Sequence, residues 1–412
     1  MLCQLVFKNR TPLAFKATRS TRDASSLEYI PGTSLLGALA HAHIQMNNEK
    51  AHFNELFSQS GLKLGNMYPA GFKMLEDSFK DKPFYSKTFP ATAVSCKRFQ
   101  GFKEQGRYET DEMHGVFDLL KNWTLFALNE RKNNCGLNAA LKCAYKDDDF
   151  ICEEDMAPIN GYYGLDHNMV AEKVTPRTEL STLTGIDRHT GTARRGILYS
   201  YENIPEGQLF TGQVAIEPNK WESFKEYLKE AAESGYLRVG NNRSRGFGEI
   251  VLISADQKGE DTADDIRKRV EDFTSCVNEV AQENDVAQPY SHLIPVTLIS
   301  DSLIMDRLQR YHSGLDEEFW VREISKSPAD LVCVASSCRE MIGWNALYGV
   351  PREKVMLINK GSVFVFGLSI DPSTSFWEDL QEAQVKGIGE RKNEGFGQIS
   401  VADIFHLEVF EK

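Results

Sequence analysis

The sequence predicts an α+β fold of two ferredoxin-like modules, residues 1–255 and 290–412, with an insertion at about 61–164 in the first and a linker at 256–289. Three observations predict it. The chain carries an internal repeat, each copy of the repeat holds a glycine-rich loop, and each module would open on an apolar run of strand length.

The elements follow in order from the repeat, because a duplication constrains the fold before any single segment does. Ile204–Ile216 (IPEGQLFTGQVAI) matches Ile358–Ile370 (INKGSVFVFGLSI), and both read as strands. A Trp-containing amphipathic segment follows each, Trp221 to Ala232 and Phe376 to Ala383; Trp221, Phe224, Tyr227 and Leu228 sit at helical spacing. Next comes a glycine loop, Gly240–Gly248 (GNNRSRGFG) in one copy and Gly389–Gly397 (GERKNEGFG) in the other, and then a short β-rich run. Strand, helix, loop and strand, occurring twice, is half of a β-α-β-β-α-β unit in two copies. Leu2–Phe7 and Leu293–Ile299 are the matching opening strands. Asp256–Gln288 is rich in Asp, Glu, Lys and Gln and reads as an exposed linking helix. Residues 61–164 fit neither copy and hold four of the eight cysteines.

Composition bounds the function. Apolar residues at 41% and charged residues at 26% are those of a folded globular chain. No stretch approaches the roughly 20 uncharged apolar residues of a membrane span, so no membrane partner is expected, and the apolar run after Met1 reads as a strand rather than a signal peptide. Cysteines in such a chain point to a reducing compartment. A net charge of −12 argues against nonspecific coating of nucleic acid, which rests on phosphate neutralisation. Any RNA site is therefore local. Lys8, Arg10, Lys16, Arg19 and Arg22 precede the first acid, Asp23, and Arg177, Arg188, Arg194 and Arg195 cluster again.

Three ordered segments, Tyr29–Leu39 (YIPGTSLLGAL), Gly185–Tyr199 (GIDRHTGTARRGILY) and the paired loops ending Gly-Phe-Gly, resemble the CRISPR-associated RAMP superfamily, whose modules are RRM-like. The second half, with Thr297–Leu303, Gly343-Trp-Asn and Gly387–Arg391, looks most like the two-module RAMP subunit of type III-D complexes. The resemblance implies a non-catalytic subunit of a type III interference complex in the prokaryotic cytoplasm. It would bind CRISPR RNA near the five-prime tag, with other subunits as partners and target RNA nearby.

The residues suit that role. Pro31 and Gly32 close a turn, and Thr33 or Ser34 would cap a helix running to about Met46, whose N-terminus would attract phosphate. In the first loop, Asn241, Asn242, Arg243, Ser244 and Arg245 offer donors to an RNA backbone. Arg391 and Lys392 do so in the second, where Glu390 and Glu394 offset them and packing against a neighbouring protein is the other reading. In the turn after Gly185, Arg188, Arg194 and Arg195 would grip phosphate, Thr192 would add a hydroxyl and His189 would stack on a base. Arg22 and Arg177 complete the basic set.

Catalysis is weighed against two family patterns. The acid that target-cutting relatives carry a few residues before the Arg-Asp pair is missing from Phe15–Asp23. Processing relatives use a histidine near the first helix, and His41 and His43 lie there, on different faces because they are two apart. An RNA-processing nuclease using His41, and a protein scaffold without RNA contact, stay open beside the RNA-binding subunit. No cofactor is required. A structural zinc ion held by Cys96, Cys135, Cys143 and Cys152 is expected in the insertion, a lobe too small for a large core, with His114 able to replace one thiol. No Cys-x-x-Cys pair is present, so the site needs the intervening loops to fold back; otherwise the thiols are small core residues.

Overall fold

A computed structural model of the chain describes residues 1–16, 25–46, 49–71, 85–102, 113–129, 142–143, 145–147, 150–165, 171–187, 189–257, 259, 261–345 and 348–407. It is a mixed α and β protein of several small antiparallel sheets.

The amino-terminal part contributes β1 (Leu2–Asn9), α1 (Gly32–Gln45), α2 (Lys50–Phe57), β2 (Lys63–Leu64) and β3 (Tyr68–Ala70). Strand β1 is buried almost throughout because it is central and covered on both faces. The inserted lobe supplies β4 (Tyr85–Thr88), β5 (Ala93–Cys96), β6 (Val116–Asp118), α3 (Leu120–Asn129), β7 (Lys146–Asp147), β8 (Phe150–Ile151), β9 (Met156–Pro158), β10 (Tyr162–Leu165) and β11 (Ala171–Val174). A hairpin, β12 (Glu179–Ile186) and β13 (Ala193–Asn203), leads into β14 (Leu209–Ala215), α4 (Trp221–Glu233) and β15 (Ile250–Gln257). The first sheet has the order β15-β1-β14, with β2 and β3 both on the outer edge of β14. Helices α1 and α4 cover one face, where Leu35, Leu39, Trp221, Phe224 and Leu228 form the core with Leu5 and Phe7.

The rest of the chain repeats this plan. After α5 (Ala263–Glu283) come β16 (His292–Leu298), α6 (Glu317–Glu323), β17 (Asp330–Ala335), a second hairpin of β18 (Cys338–Asn345) and β19 (Val350–Ile358), then β20 (Val363–Leu368), α7 (Thr374–Lys386) and β21 (Ile399–Val401). The second sheet has the order β17-β20-β16-β21. Strands β16, β20 and β21 take the places of β1, β14 and β15, and each copy places a two-stranded hairpin just before its third core strand.

Two expectations need correction. Residues 63–70 were expected in the insertion but pair with β14; strands of two and three residues are too short to show a period in the sequence. The segment expected to be an exposed linking helix is α5, and its Ile266, Val270, Phe273, Val277 and Ala281 are buried. Ile266 and Val270 join the second core, so the helix packs as part of that half. A narrow apolar stripe suffices to bury a helix on one side even when the other three sides are charged.

The lobe binds both halves together. Leu120 of α3 packs with Phe273, Val277, Leu293 and Val363, while Phe89, Phe102 and Tyr163 enclose Phe405. Lys87 reaches the buried Asp403 at 2.6 Å, and His406 Nδ1 lies 2.7 Å from Asp118 Oδ2. Burial alone would raise the Asp403 pKa; the Lys87 ammonium, with His406 beside it, more than offsets this and holds the carboxyl well below the usual range.

Candidate nucleic-acid interface

Both glycine loops adopt one conformation. A left-handed residue, Asn242 or Arg391, leads into a single 3-10 turn that ends on a left-handed glycine, Gly246 or Gly395. The opening glycines are there for packing: a Cβ on Gly240 would lie 2.6 Å from the Ala14 carbonyl oxygen, and one on Gly389 would lie 2.4 Å from that of Leu303. The similarity ends at the side chains.

In the first loop Asn241, Arg243, Ser244 and Arg245 are exposed and Asn242 is half-buried. Arg243 and Ser244 line an open cleft of about 420 Å³ together with His41, Tyr236 and Arg238. Helix α1 brings His41 there because its buried stripe runs through Leu35, Ala38, Leu39, Ala42 and His43, which leaves position 41 outward. His43 points inward, where its ring packs on His52, Phe53, Phe57 and Tyr227 and its Nε2 lies 3.3 Å from the Glu49 carbonyl oxygen. Of the two histidines only His41 faces the cleft. Tyr236 is 46% exposed and offers a ring face for stacking. Arg238 is held by Glu249 at 3.4 Å, whereas Arg243 has no carboxylate partner among the described residues.

The second loop faces inward. Arg391 pairs with Glu394 at 2.5 Å and lies over the Phe396 ring, and Lys392 reaches Glu323 at 3.1 Å. The loop is seated on the start of α1: a Cβ on Gly32 would come within 2.8 Å of the Glu394 carbonyl oxygen and 3.0 Å of the Gly395 Cα. Thr33 and Ser34, expected to cap that helix, do not. The N-cap is Pro31, no side chain caps it, and the Gly32 N–H donates to Asn66 Oδ1 at 2.9 Å. The helix begins earlier than the sequence suggested, with its N-cap two residues before Thr33, so both hydroxyl residues fall inside the helix, half-buried.

The β12–β13 hairpin carries Arg194 and Arg195, and Arg177 lies just before it. Asp187 builds its turn, accepting from the His189 and Thr190 N–H groups at 2.8 and 3.2 Å, while the Thr190 and Thr192 hydroxyls lie 2.9 Å apart. His189, Thr192 and Arg177 are exposed. Arg194 and Arg195 fall on β13, where only the backbone is described; Arg188 and Arg22 lie outside the described residues. Leu180 and Ile186 on the same hairpin are 67% and 68% exposed.

Sequence reasoning missed the joint between the halves. The Lys360 ammonium sits 3.9, 5.1 and 5.0 Å from the ring centres of Tyr29, Tyr68 and Tyr162, and it donates to the Tyr162 hydroxyl at 3.1 Å. Burial lowers its pKa to about 8, against Asp301, which favours the charge. Asp301 accepts from the Lys360 backbone N–H at 2.9 Å and pairs with Arg339 at 2.5 Å. Its place in Thr297–Leu303, one of the segments that carried the resemblance, was the available signal.

In the lobe, Cys96, His114, Cys143 and Cys152 are all buried, and their ligand atoms lie within 4.8 Å of one another. Cys135 lies outside the described residues.

The model of the RAMP superfamily matches residues 6–251. The chain belongs to that superfamily. No curated protein is detectably similar in sequence. Among solved structures, a chain of the type III-B Cmr-beta complex bound to cognate target RNA and AMPPnP is 12% identical, with 88% of this chain and 86% of that chain covered and a TM-score of 0.38. A Cas6 product complex is 13% identical over 54% of this chain and 81% of that chain, with a TM-score of 0.29.

Proposed function

We propose that the chain is a non-catalytic subunit of a type III CRISPR interference complex, nearest the two-module RAMP subunit of type III-D, and that its first half holds the CRISPR RNA near the five-prime tag. We read its halves as two ferredoxin-like modules, 1–255 and 290–412, with the lobe inserted in the first and α5 packed onto the second. One observation carries the reading: of two loops with the same backbone, only the first presents a cation, Arg243, to an open cleft, while the second is ion-paired and seated on α1. The cleft offers what single-stranded RNA needs, a guanidinium for phosphate and a ring for a base. Arg177, His189, Thr192, Arg194 and Arg195 on or beside the hairpin extend the same grip, and Arg188 is read as part of it from the sequence. Other subunits and nearby target RNA would meet the apolar residues exposed on the hairpins.

The test is binding of tagged CRISPR RNA to the purified protein across salt concentrations. About four phosphate contacts on single-stranded RNA predict a log–log slope near −3. Exchanging Arg188 and Arg195 for Glu should weaken binding, and unchanged affinity at low salt would overturn the proposal. A flat salt response would favour the scaffold reading instead. A second reading, the processing nuclease, is favoured by the place of His41 beside Arg243 and Tyr236. RNA cutting by the wild type that disappears in His41→Ala would establish it over the non-catalytic one.

A further inference from the structure

We infer that the inserted lobe is built around one structural zinc ion, held by the thiolates of Cys96, Cys143 and Cys152 and by the imidazole Nδ1 of His114. The inference is independent of the RNA reading, since the cluster lies in the lobe and the cleft lies on the first module.

The four groups arrive from three separate stretches of chain. Cys96 ends β5, and His114 precedes β6, the neighbour of β5. Cys143 and Cys152 flank the β7–β8 hairpin, which folds back so that residues nine apart in sequence face one point. Backbone bonds hold this arrangement: the Cys143 N–H donates to the Glu154 carbonyl at 2.8 Å, the Cys152 N–H to that of Tyr145 at 3.0 Å, and the Lys97 N–H to that of Asp155 at 2.9 Å.

The spacing is that of ligands around an ion. A tetrahedral zinc with bonds of about 2.3 Å to sulfur and about 2.05 Å to nitrogen separates two sulfurs by about 3.8 Å and a sulfur from a nitrogen by about 3.5 Å. Here the Cys96 and Cys152 Sγ atoms are 3.9 Å apart, and His114 Nδ1 is 3.3 Å from Cys143 Sγ. A disulfide needs about 2.05 Å, so the thiols are not poised as a bonded pair. The imidazole is held in plane by stacking on Tyr145, with centres 4.0 Å apart and planes 6° apart, and by Phe99 at 4.4 Å on its other contact. Three sulfurs and one nitrogen, all buried, fit zinc rather than a hard cation, and four protein ligands close the tetrahedron against substrate.

The lobe also needs such a staple. Strands β7 and β8 have two residues each, and β5, β6 and β9 have three or four. Hairpins of that size do not stand alone in water. An ion joining Cys96 to Cys143 closes a long loop and removes the corresponding freedom from the unfolded chain.

The experiment uses the full chain, purified without chelator. Elemental analysis should find about one zinc per chain, and replacement by cobalt should produce thiolate-to-metal charge-transfer and tetrahedral d–d bands. Cys143→Ser, Cys152→Ser and His114→Ala should each lower bound zinc at least fivefold, while Cys135→Ser and Cys276→Ser should retain it. Fewer than about 0.2 zinc ions per wild-type chain overturns the inference whether or not the variants fold. Zinc lost in Cys135→Ser but kept in His114→Ala would overturn the assignment of His114.

Discussion

Helix α1 contains two glycines whose replacement by alanine should act in opposite directions. At Gly32 a Cβ would stand 2.6 Å from the Leu64 carbonyl oxygen, 2.8 Å from that of Glu394 and 3.0 Å from the Gly395 Cα. All three are backbone atoms on two different segments, so neither a side-chain rotation nor a single loop shift relieves the contact. Overpacking of this kind costs about 1–3 kcal/mol, and displacement of the Gly32 N–H from Asn66 Oδ1 adds about 1 kcal/mol. Against this, alanine gains at most about 1 kcal/mol of helix propensity. The net expectation for Gly32→Ala is a loss of about 1–3 kcal/mol. Gly37 lies in the same helix, exposed, with nothing within 4 Å of its Cβ position. Gly37→Ala should therefore gain about 0.5–1 kcal/mol. Urea unfolding of the two variants beside the wild type measures both, and limited proteolysis should cut Gly32→Ala faster in the second glycine loop. If Gly32→Ala lies within 0.5 kcal/mol of wild type, the seating of that loop on α1 is refuted.

Three further outcomes are expected. Asp403→Asn should cost about 3 kcal/mol by leaving the Lys87 ammonium without its partner. Because the Asp403 pKa is depressed on folding, its contribution is complete above the ordinary aspartate value and is lost as pH falls; a pH series of thermal melts in which wild type and variant stay parallel down to pH 3 would contradict this. The Lys360 pKa is lowered on folding to about 8, so the unfolded chain binds more protons between about pH 8 and 10, and wild-type stability relative to Lys360→Met should rise across that window; a flat difference would show that the three tyrosine rings compensate the ammonium for its burial. Arg243→Glu should weaken RNA binding about tenfold at low salt and reduce the salt slope by about 0.7, whereas equal slopes would remove Arg243 from the interface.

Local patterns were legible where they recur. The paired strand, helix and glycine loop came from residues within about fifty positions of one another, and the helical period correctly separated an outward His41 from an inward His43. The burial of α5 was also written in the chain, since Ile266, Val270, Phe273 and Val277 form a stripe at helical spacing, but its charged composition masked the stripe. The extension of the repeat to the hairpins β12–β13 and β18–β19 was not legible, because their alternating residues share no sequence and only their positions correspond.

By itself the sequence disclosed the recurring strand, helix and glycine loop and the residue types available at each loop, because propensity, periodicity and residue type act over short distances along the chain. Only the tertiary structure decided how equivalent pieces are used. Gly32 and Gly395 are far apart in sequence, and their contact turns a loop with two cations into an internal joint. Lys360, Tyr29, Tyr68 and Tyr162 come from four segments, and no spacing links them. His114 reaches the thiols because β5 and β6 pair and the β7–β8 hairpin folds back. Each of these depends on long-range packing, whose free energy is realised only when the whole core closes, and that is why residue pattern alone does not disclose it.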